Sequence, residues 1–145
     1  MKKFGVLIAA DLLFAAAPSF AQTVGTCPRG GGSTQPQPVR VLFALNSSVV
    51  PPAEKPGIAQ AVKTAKDRQV SAICLIGHTD KLGDKGYNEK LARARAQAVA
   101  AEMIRDGYPA KNITIVADPE AFGNMSLGKE NASEIDRKVT IFYAR

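Results

Sequence analysis

The chain has 145 residues, of which 46% are hydrophobic and 22% are charged, and its formal net charge is +6 at pH 7. This length and composition are typical of one globular domain and exclude a fully disordered chain. The positive charge favours anionic partners, such as a cell-wall polymer or the headgroups of phospholipid or lipopolysaccharide. Nucleic acid is not an expected partner, because no strip of the sequence combines basic side chains with aromatic ones for base stacking.

Residues 1–21 have the pattern of a secretory signal peptide. Two lysines precede an apolar stretch over residues 4–17, and residues 19–21 (Ser-Phe-Ala) supply a small-x-small cleavage site. Asp11 is an unusual charge within that apolar stretch. No later run approaches the roughly 20 apolar residues that span a bilayer. We therefore predict an exported, periplasmic protein without a membrane span.

Residues 22–38 are rich in Gly, Pro and Gln and lack a hydrophobic period, so they are predicted to form a flexible linker ahead of a folded domain over 39–145. The chain has two cysteines, Cys27 in this linker and Cys74 in a predicted strand. An oxidising compartment would permit one disulfide between them, but a buried thiol at Cys74 with an unrelated Cys27 fits the sequence equally well. No lipobox precedes Cys27, so no lipid anchor is predicted.

The hydrophobic pattern of residues 39–145 alternates between the periods of strands and helices. It predicts, in chain order, a strand over 39–45, a helix over 53–68, a strand over 70–76, a helix over 87–106, a strand over 113–116, a long loop over 118–133 and a strand over 139–143. The order β-α-β-α-β-β predicts a two-layer α/β (α+β) sandwich with a mixed sheet, right-handed crossovers and an antiparallel last strand.

An arginine interrupts the apolar face of the second predicted helix. Leu91, Arg95, Val99 and Met103 follow one another at i+4 spacing, so the guanidinium of Arg95 is expected between apolar neighbours. A cation in such a place requires an anion, which either the protein or a ligand supplies.

Two further polar residues are expected near this arginine. Asp80 directly follows the central strand, where ligands of open α/β sheets commonly bind. Asn88 lies two helical turns before Arg95 on the same face of the helix. The spacing therefore predicts that an acid, an amide and a guanidinium lie together at one site at the end of the sheet. An internal salt bridge between Asp80 and Arg95, which would only join the loop to the helix, is the alternative.

Three motifs are spaced along the second half of the chain. They are Gly77-His78-Thr79-Asp80, then Tyr87-Asn88 with Leu91, Ala94-Arg95-Ala96 and Val99, and finally Asp136-Arg137-Lys138-Val139. In this order they resemble the pattern of the OmpA-like C-terminal domain family, which reads GHTD, YNxxLSxxRAxxV and NRRV. The resemblance extends over the whole predicted domain, 39–145.

The resemblance implies non-covalent binding of peptidoglycan through the diaminopimelate of its stem peptide, at the cell wall or outer membrane. It assigns the ammonium group of diaminopimelate to Asp80 and the carboxylate to Arg95, which suits the zwitterionic end of that amino acid. The other family positions in the predicted ligand site correspond to His78, Thr79, Asn88, Leu91 and Arg137. The resemblance implies no cofactor, metal ion or catalytic residue.

The sequence departs from the family pattern at two places. The closing motif begins Asp136-Arg137-Lys138 instead of Asn-Arg-Arg, so that Asp136 could pair with Arg137. Ala44 follows Phe43 where many members carry an acid. These changes bear on affinity for the wall more than on family membership.

Two other classes of function are alternatives to wall binding. The first is a protein-interaction or assembly module of the envelope, which keeps the fold with weakened or lost peptidoglycan binding and has an envelope protein as partner. The second is a wall enzyme, which the sequence disfavours: His78 is the single histidine, and no HExxH or GxSxG motif is present.

Overall fold

A computed structural model describes residues 23–24, 27, 35–79, 84–118 and 137–144. It contains five strands and two α-helices in these ranges: β1 (Thr23–Val24), β2 (Val39–Leu42), α1 (Lys55–Asp67), β3 (Ala72–Gly77), α2 (Lys85–Arg105), β4 (Ile113–Ala117) and β5 (Lys138–Ala144). Short 3₁₀ turns precede α1 and β4. No helix in these ranges is long and apolar enough to cross a membrane.

The five strands form one mixed sheet in the order β1-β4-β3-β5-β2. β3 runs parallel to β4, and β5 runs antiparallel to both β3 and β2, which confirms the predicted mixed sheet and antiparallel last strand. In the register, Leu42 faces Lys138, while Gly77 faces both Val139 and Ala117. The carboxyl ends of β2, β3 and β4 and the amino end of β5 therefore meet at one edge of the sheet, which we call the site end.

The core lies between one face of the sheet and the two helices. Alternate strand residues point to one face of a sheet, and the buried apolar residues of β3, β4 and β5 keep that parity. The helices contribute buried residues at helical spacing. The main members of this cluster are Ile58, Val62, Ile73, Leu75, Ala96, Val99, Met103, Ile113, Ile115, Val139 and Ile141. The predicted two-layer α/β sandwich is confirmed.

The observed ends of both helices differ from the predicted ones, and local hydrogen bonds and turns explain the differences. α2 begins at Lys85, before the predicted position, because the Asp84 carboxylate accepts a hydrogen bond from the Tyr87 N–H at 2.8 Å and caps the helix. α2 is followed by Gly107 at a φ of +88°, which a glycine adopts without strain. α1 begins at Lys55, because residues 52–54 form a 3₁₀ turn.

The structure gives order to part of the predicted linker over 22–38. Thr23 and Val24 pair in parallel with Thr114 and Ile115 of β4, which makes β1 an edge strand. A disulfide joins Cys27 to Cys74 in β3, with 5.7 Å between the Cα atoms. The linker prediction did not anticipate this strand or decide between a bridge and a free thiol, because local composition does not reveal a crosslink or a sheet edge. The predicted signal peptide and residues 119–133 of the predicted loop lie outside the described residues.

Candidate functional site

Arg95 is completely buried on the face of α2 that packs on the sheet. It has 0% of its surface exposed, as do Val99 and Met103 on the same ridge, so the placement expected from i+4 spacing is what the structure contains. Leu91, one turn earlier, is half-buried. Burying a guanidinium without compensating contacts would be strongly unfavourable. The groups that contact Arg95 therefore determine what else it can bind.

Three backbone carbonyls surround the guanidinium. Arg95 donates hydrogen bonds from Nε to the Ser47 oxygen at 2.8 Å, from Nη1 to the His78 oxygen at 3.2 Å and from Nη2 to the Ala44 oxygen at 3.1 Å. The ring of Phe43 lies 5.5 Å from Arg95 Cζ, within the range of a cation–π contact. The rigid fork of the guanidinium is therefore oriented by two loops, one after β2 and one after β3.

A tight turn after β2 presents two of these carbonyls. The Ser47 N–H donates to the Ala44 oxygen at 3.2 Å, and Asn46 within the turn has a φ of +52°. Asparagine tolerates this left-handed region better than most residues. The turn also explains why β2 ends at Leu42, although the apolar pattern predicts a strand as far as residue 45. Sequence reasoning missed these residues as partners of Arg95. The Asn46-Ser47 pair indicates a turn, but it does not indicate which carbonyls face the guanidinium.

The two residues that follow β3 are buried at the site end. The His78 N–H donates to the Lys138 oxygen at 2.8 Å, which ties this loop to the start of β5. Thr79 is 3% exposed, and its hydroxyl has no hydrogen-bond partner in the described part of the chain. Buried hydroxyls are nearly always bonded, so this group is a candidate for a ligand contact.

Other predicted site residues converge on the same edge. Arg137 donates from Nε to the Phe43 oxygen at 3.4 Å, and its own oxygen accepts from the Phe43 N–H at 2.9 Å. Asn88 is buried near the start of α2, and its N–H bonds to the Asp84 oxygen at 3.0 Å. Two guanidinium groups thus bond to the consecutive carbonyls of residues 43 and 44. Asp80 and Asp136 lie outside the described residues, so the predicted contacts of their carboxylates stay predictions.

The buried hydroxyl leads to a prediction about stability. Thr79→Val should raise the free energy of unfolding by about 1 kcal/mol, because a methyl group replaces a buried hydroxyl that has no partner. In a domain of about 100 residues this is a rise in Tm of roughly 4–8 °C, which thermal unfolding followed by circular dichroism would detect. Thr79→Ser, which keeps the hydroxyl, is the control and should not gain stability. A lower Tm for Thr79→Val would mean that the hydroxyl is bonded in the folded protein.

The chain is similar to proteins of one family. The model of the OmpA family matches residues 42–140. The outer-membrane lipoprotein YfiB of Pseudomonas aeruginosa is 36% identical over 76 residues, which are 52% of this chain and 45% of that protein. The chain therefore spans less than half the length of this relative.

Two solved structures have the same fold. The OmpA-like domain of FopA1 from Francisella tularensis has a TM-score of 0.62 and 25% identity, and the match covers 72% of this chain and 69% of that one. The peptidoglycan-associated lipoprotein from Burkholderia pseudomallei has a TM-score of 0.63 and 22% identity, with 72% and 89% covered.

Proposed function

The chain belongs to the OmpA family, and from this premise we propose that its domain binds peptidoglycan non-covalently through the diaminopimelate of the stem peptide. The observation that carries the proposal is the position of the Arg95 guanidinium at the site end, bonded to the His78 carbonyl of the loop that leads to Asp80. Arg95 lies fifteen residues after Asp80, as the family motif requires.

The chemistry of the ligand suits these two residues. The free end of diaminopimelate carries one ammonium and one carboxylate group, so one acid beside one guanidinium is its complement. Asp80 would accept hydrogen bonds from the ammonium, and Arg95 would bind the carboxylate. The carbonyls of Ala44, Ser47 and His78 fix the orientation of the guanidinium in advance, which lowers the entropy that binding costs.

The complete burial of Arg95 adds a requirement to this proposal. A ligand carboxylate reaches the guanidinium only after the groups that cover it have moved, so binding includes an opening step at the site end. The buried hydroxyl of Thr79, adjacent to the His78 carbonyl, would gain a partner in the same step.

The proposed role is binding in the cell envelope, not catalysis. The related proteins are named as an outer-membrane lipoprotein and a peptidoglycan-associated lipoprotein, which supports a periplasmic location at the wall or outer membrane. A net positive charge is also suited to an anionic wall polymer.

The decisive test is Asp80→Asn. This change removes the charge that would hold the ammonium group and leaves the shape of the side chain almost unaltered. We expect the fraction of protein that sediments with purified diaminopimelate-containing sacculi to fall by about tenfold or more. A fall of this size corresponds to the loss of at least one charge-assisted hydrogen bond. The Tm measured by circular dichroism should change little.

The second arginine of the helix provides a matched control. Arg93 is partly exposed and pairs with Glu89 on the outer side of α2, so Arg93→Ala should sediment like the wild type. Arg95→Lys, which keeps the charge but loses the planar fork, should bind weakly. Arg95→Ala is a poor probe, because it leaves three carbonyls without their donor and destabilises the fold. Undiminished sedimentation of both Asp80→Asn and Arg95→Lys would refute the site.

A second candidate is an envelope assembly module that has lost wall binding. The burial of Arg95 favours it, because carbonyls that hold a guanidinium inside the domain also suit a purely structural arginine. This alternative predicts that the wild type does not sediment with sacculi, and that an envelope protein still binds the Asp80→Asn variant.

A further inference from the structure

The most exposed large hydrophobic side chains lie at the site end. In the described part of the chain, three such residues are exposed: Leu45 at 57%, Val49 at 74% and Tyr87 at 50%. Leu45 and Val49 belong to the loop after β2, and Tyr87 is in the first turn of α2. Apolar side chains that are exposed together beside a polar site are typical of a contact surface.

The loop that carries Leu45 and Val49 also holds the buried arginine. Leu45 stands between Ala44 and Ser47, whose carbonyls both accept hydrogen bonds from Arg95. The Val49 N–H donates to Ser47 Oγ at 3.1 Å, which fixes the second half of the loop. The two aliphatic side chains are therefore presented by a backbone that the guanidinium itself holds in place.

We infer that Leu45 and Val49 form an apolar lip that contacts the alanyl residue following diaminopimelate in the stem peptide. This inference rests on the proposed function and extends it to a second part of the ligand. If diaminopimelate is held at Arg95, the next residue of the peptide lies within reach of the loop whose carbonyls bind that arginine. Its methyl group is the chemical complement of two exposed aliphatic side chains.

The size and charge of the lip favour a peptide over a protein as its occupant. Two aliphatic side chains expose far less than the roughly 800 Å² that each partner buries in a stable protein interface. Residues 43–49 carry no ionisable side chain, and Ala44 occupies the position at which many members of the family have an acid. The loop therefore offers apolar contact, which suits the uncharged methyl side chain of alanine.

A pair of peptides that differ by one methyl group tests this inference. The first is L-Ala–γ-D-Glu–diaminopimelate–D-Ala, and the second has glycine in place of the final D-Ala. Isothermal titration should show that the wild type binds the first about fourfold more tightly, which is the effect of burying one methyl group. In the Leu45→Ser/Val49→Ser variant the ratio of the two affinities should fall to about one.

The controls separate this inference from the proposed function. Lys90→Ser, at an exposed position of α2, should keep the fourfold preference. Val49→Ser alone, at the more exposed of the two positions, should lose part of the preference with no change in Tm. Equal affinity of the wild type for both peptides, or an unchanged preference in the double variant, would overturn the inference that the lip contacts the alanyl residue. Either result would leave the wall-binding role intact. A wild type that binds neither peptide would overturn both.

Discussion

Gly77→Ala should yield little folded protein. A Cβ atom at residue 77 would overlap the carbonyl oxygen of Ala92 and lie 2.8 Å from the Ala92 carbonyl carbon. These are backbone atoms of α2, so no side-chain rotation relieves the overlap. β3 and α2 would have to separate, although both contribute to the main core. We expect a loss of about 4 kcal/mol or more in the free energy of unfolding, which exceeds what most single substitutions cost.

Denaturant unfolding followed by circular dichroism measures this loss, and another glycine supplies the control. Gly57 lies near the start of α1, and a Cβ atom there would meet nothing within 4 Å. Gly57→Ala should therefore raise stability by about 0.5–1 kcal/mol, because alanine is the better helix former. Equal stabilities of Gly77→Ala and the wild type would show that α2 is not packed against β3 as closely as described.

Loss of the disulfide should be the second large effect. Cys27 and Cys74 are 47 residues apart, and closing a loop of this length in the unfolded chain is worth about 4 kcal/mol in the chain-entropy model. Cys27→Ala leaves Cys74 as a buried thiol, which is an ordinary environment for cysteine. The free energy of unfolding from urea denaturation should fall by about that amount.

Amide hydrogen exchange would locate the change. Exchange in β4 should become faster in Cys27→Ala, because β1 pairs with Thr114 and Ile115 and the bridge lies three residues beyond Val24. Treatment with a reductant should reproduce both effects in the wild type and neither in the variant. Equal stability of the oxidised and reduced wild type would contradict the stabilising role of the bridge.

Much of the fold could be predicted from the sequence, because it is encoded in local periods. The helix over Lys85–Arg105 and the parallel pair β3–β4 follow from hydrophobic spacing and turn residues. Arg95 was recognisable because it breaks the apolar ridge that Val99 and Met103 continue. The first strand was missed, since two residues in a Gly- and Pro-rich stretch show no period of their own.

The partners of Arg95 could not be predicted in the same way. They are backbone oxygens of Ala44, Ser47 and His78, and a carbonyl is present at every position, so it leaves no mark in the sequence. Which carbonyl faces the guanidinium depends on the left-handed Asn46 and on the packing of α2 across the sheet. The need for glycine at residue 77 is hidden for a similar reason, since Ala92 is fifteen residues away in the chain.

The short strand β1 has a consequence for the behaviour of the protein outside an oxidising compartment. It covers the outer side of β4 over two residues, and the only covalent link that holds it near the sheet is the bridge to β3 among the described residues. An uncovered strand edge is a template for strands of other chains and hence for aggregation. The redox state of the surroundings thus controls whether this flank of the molecule is shielded from self-association.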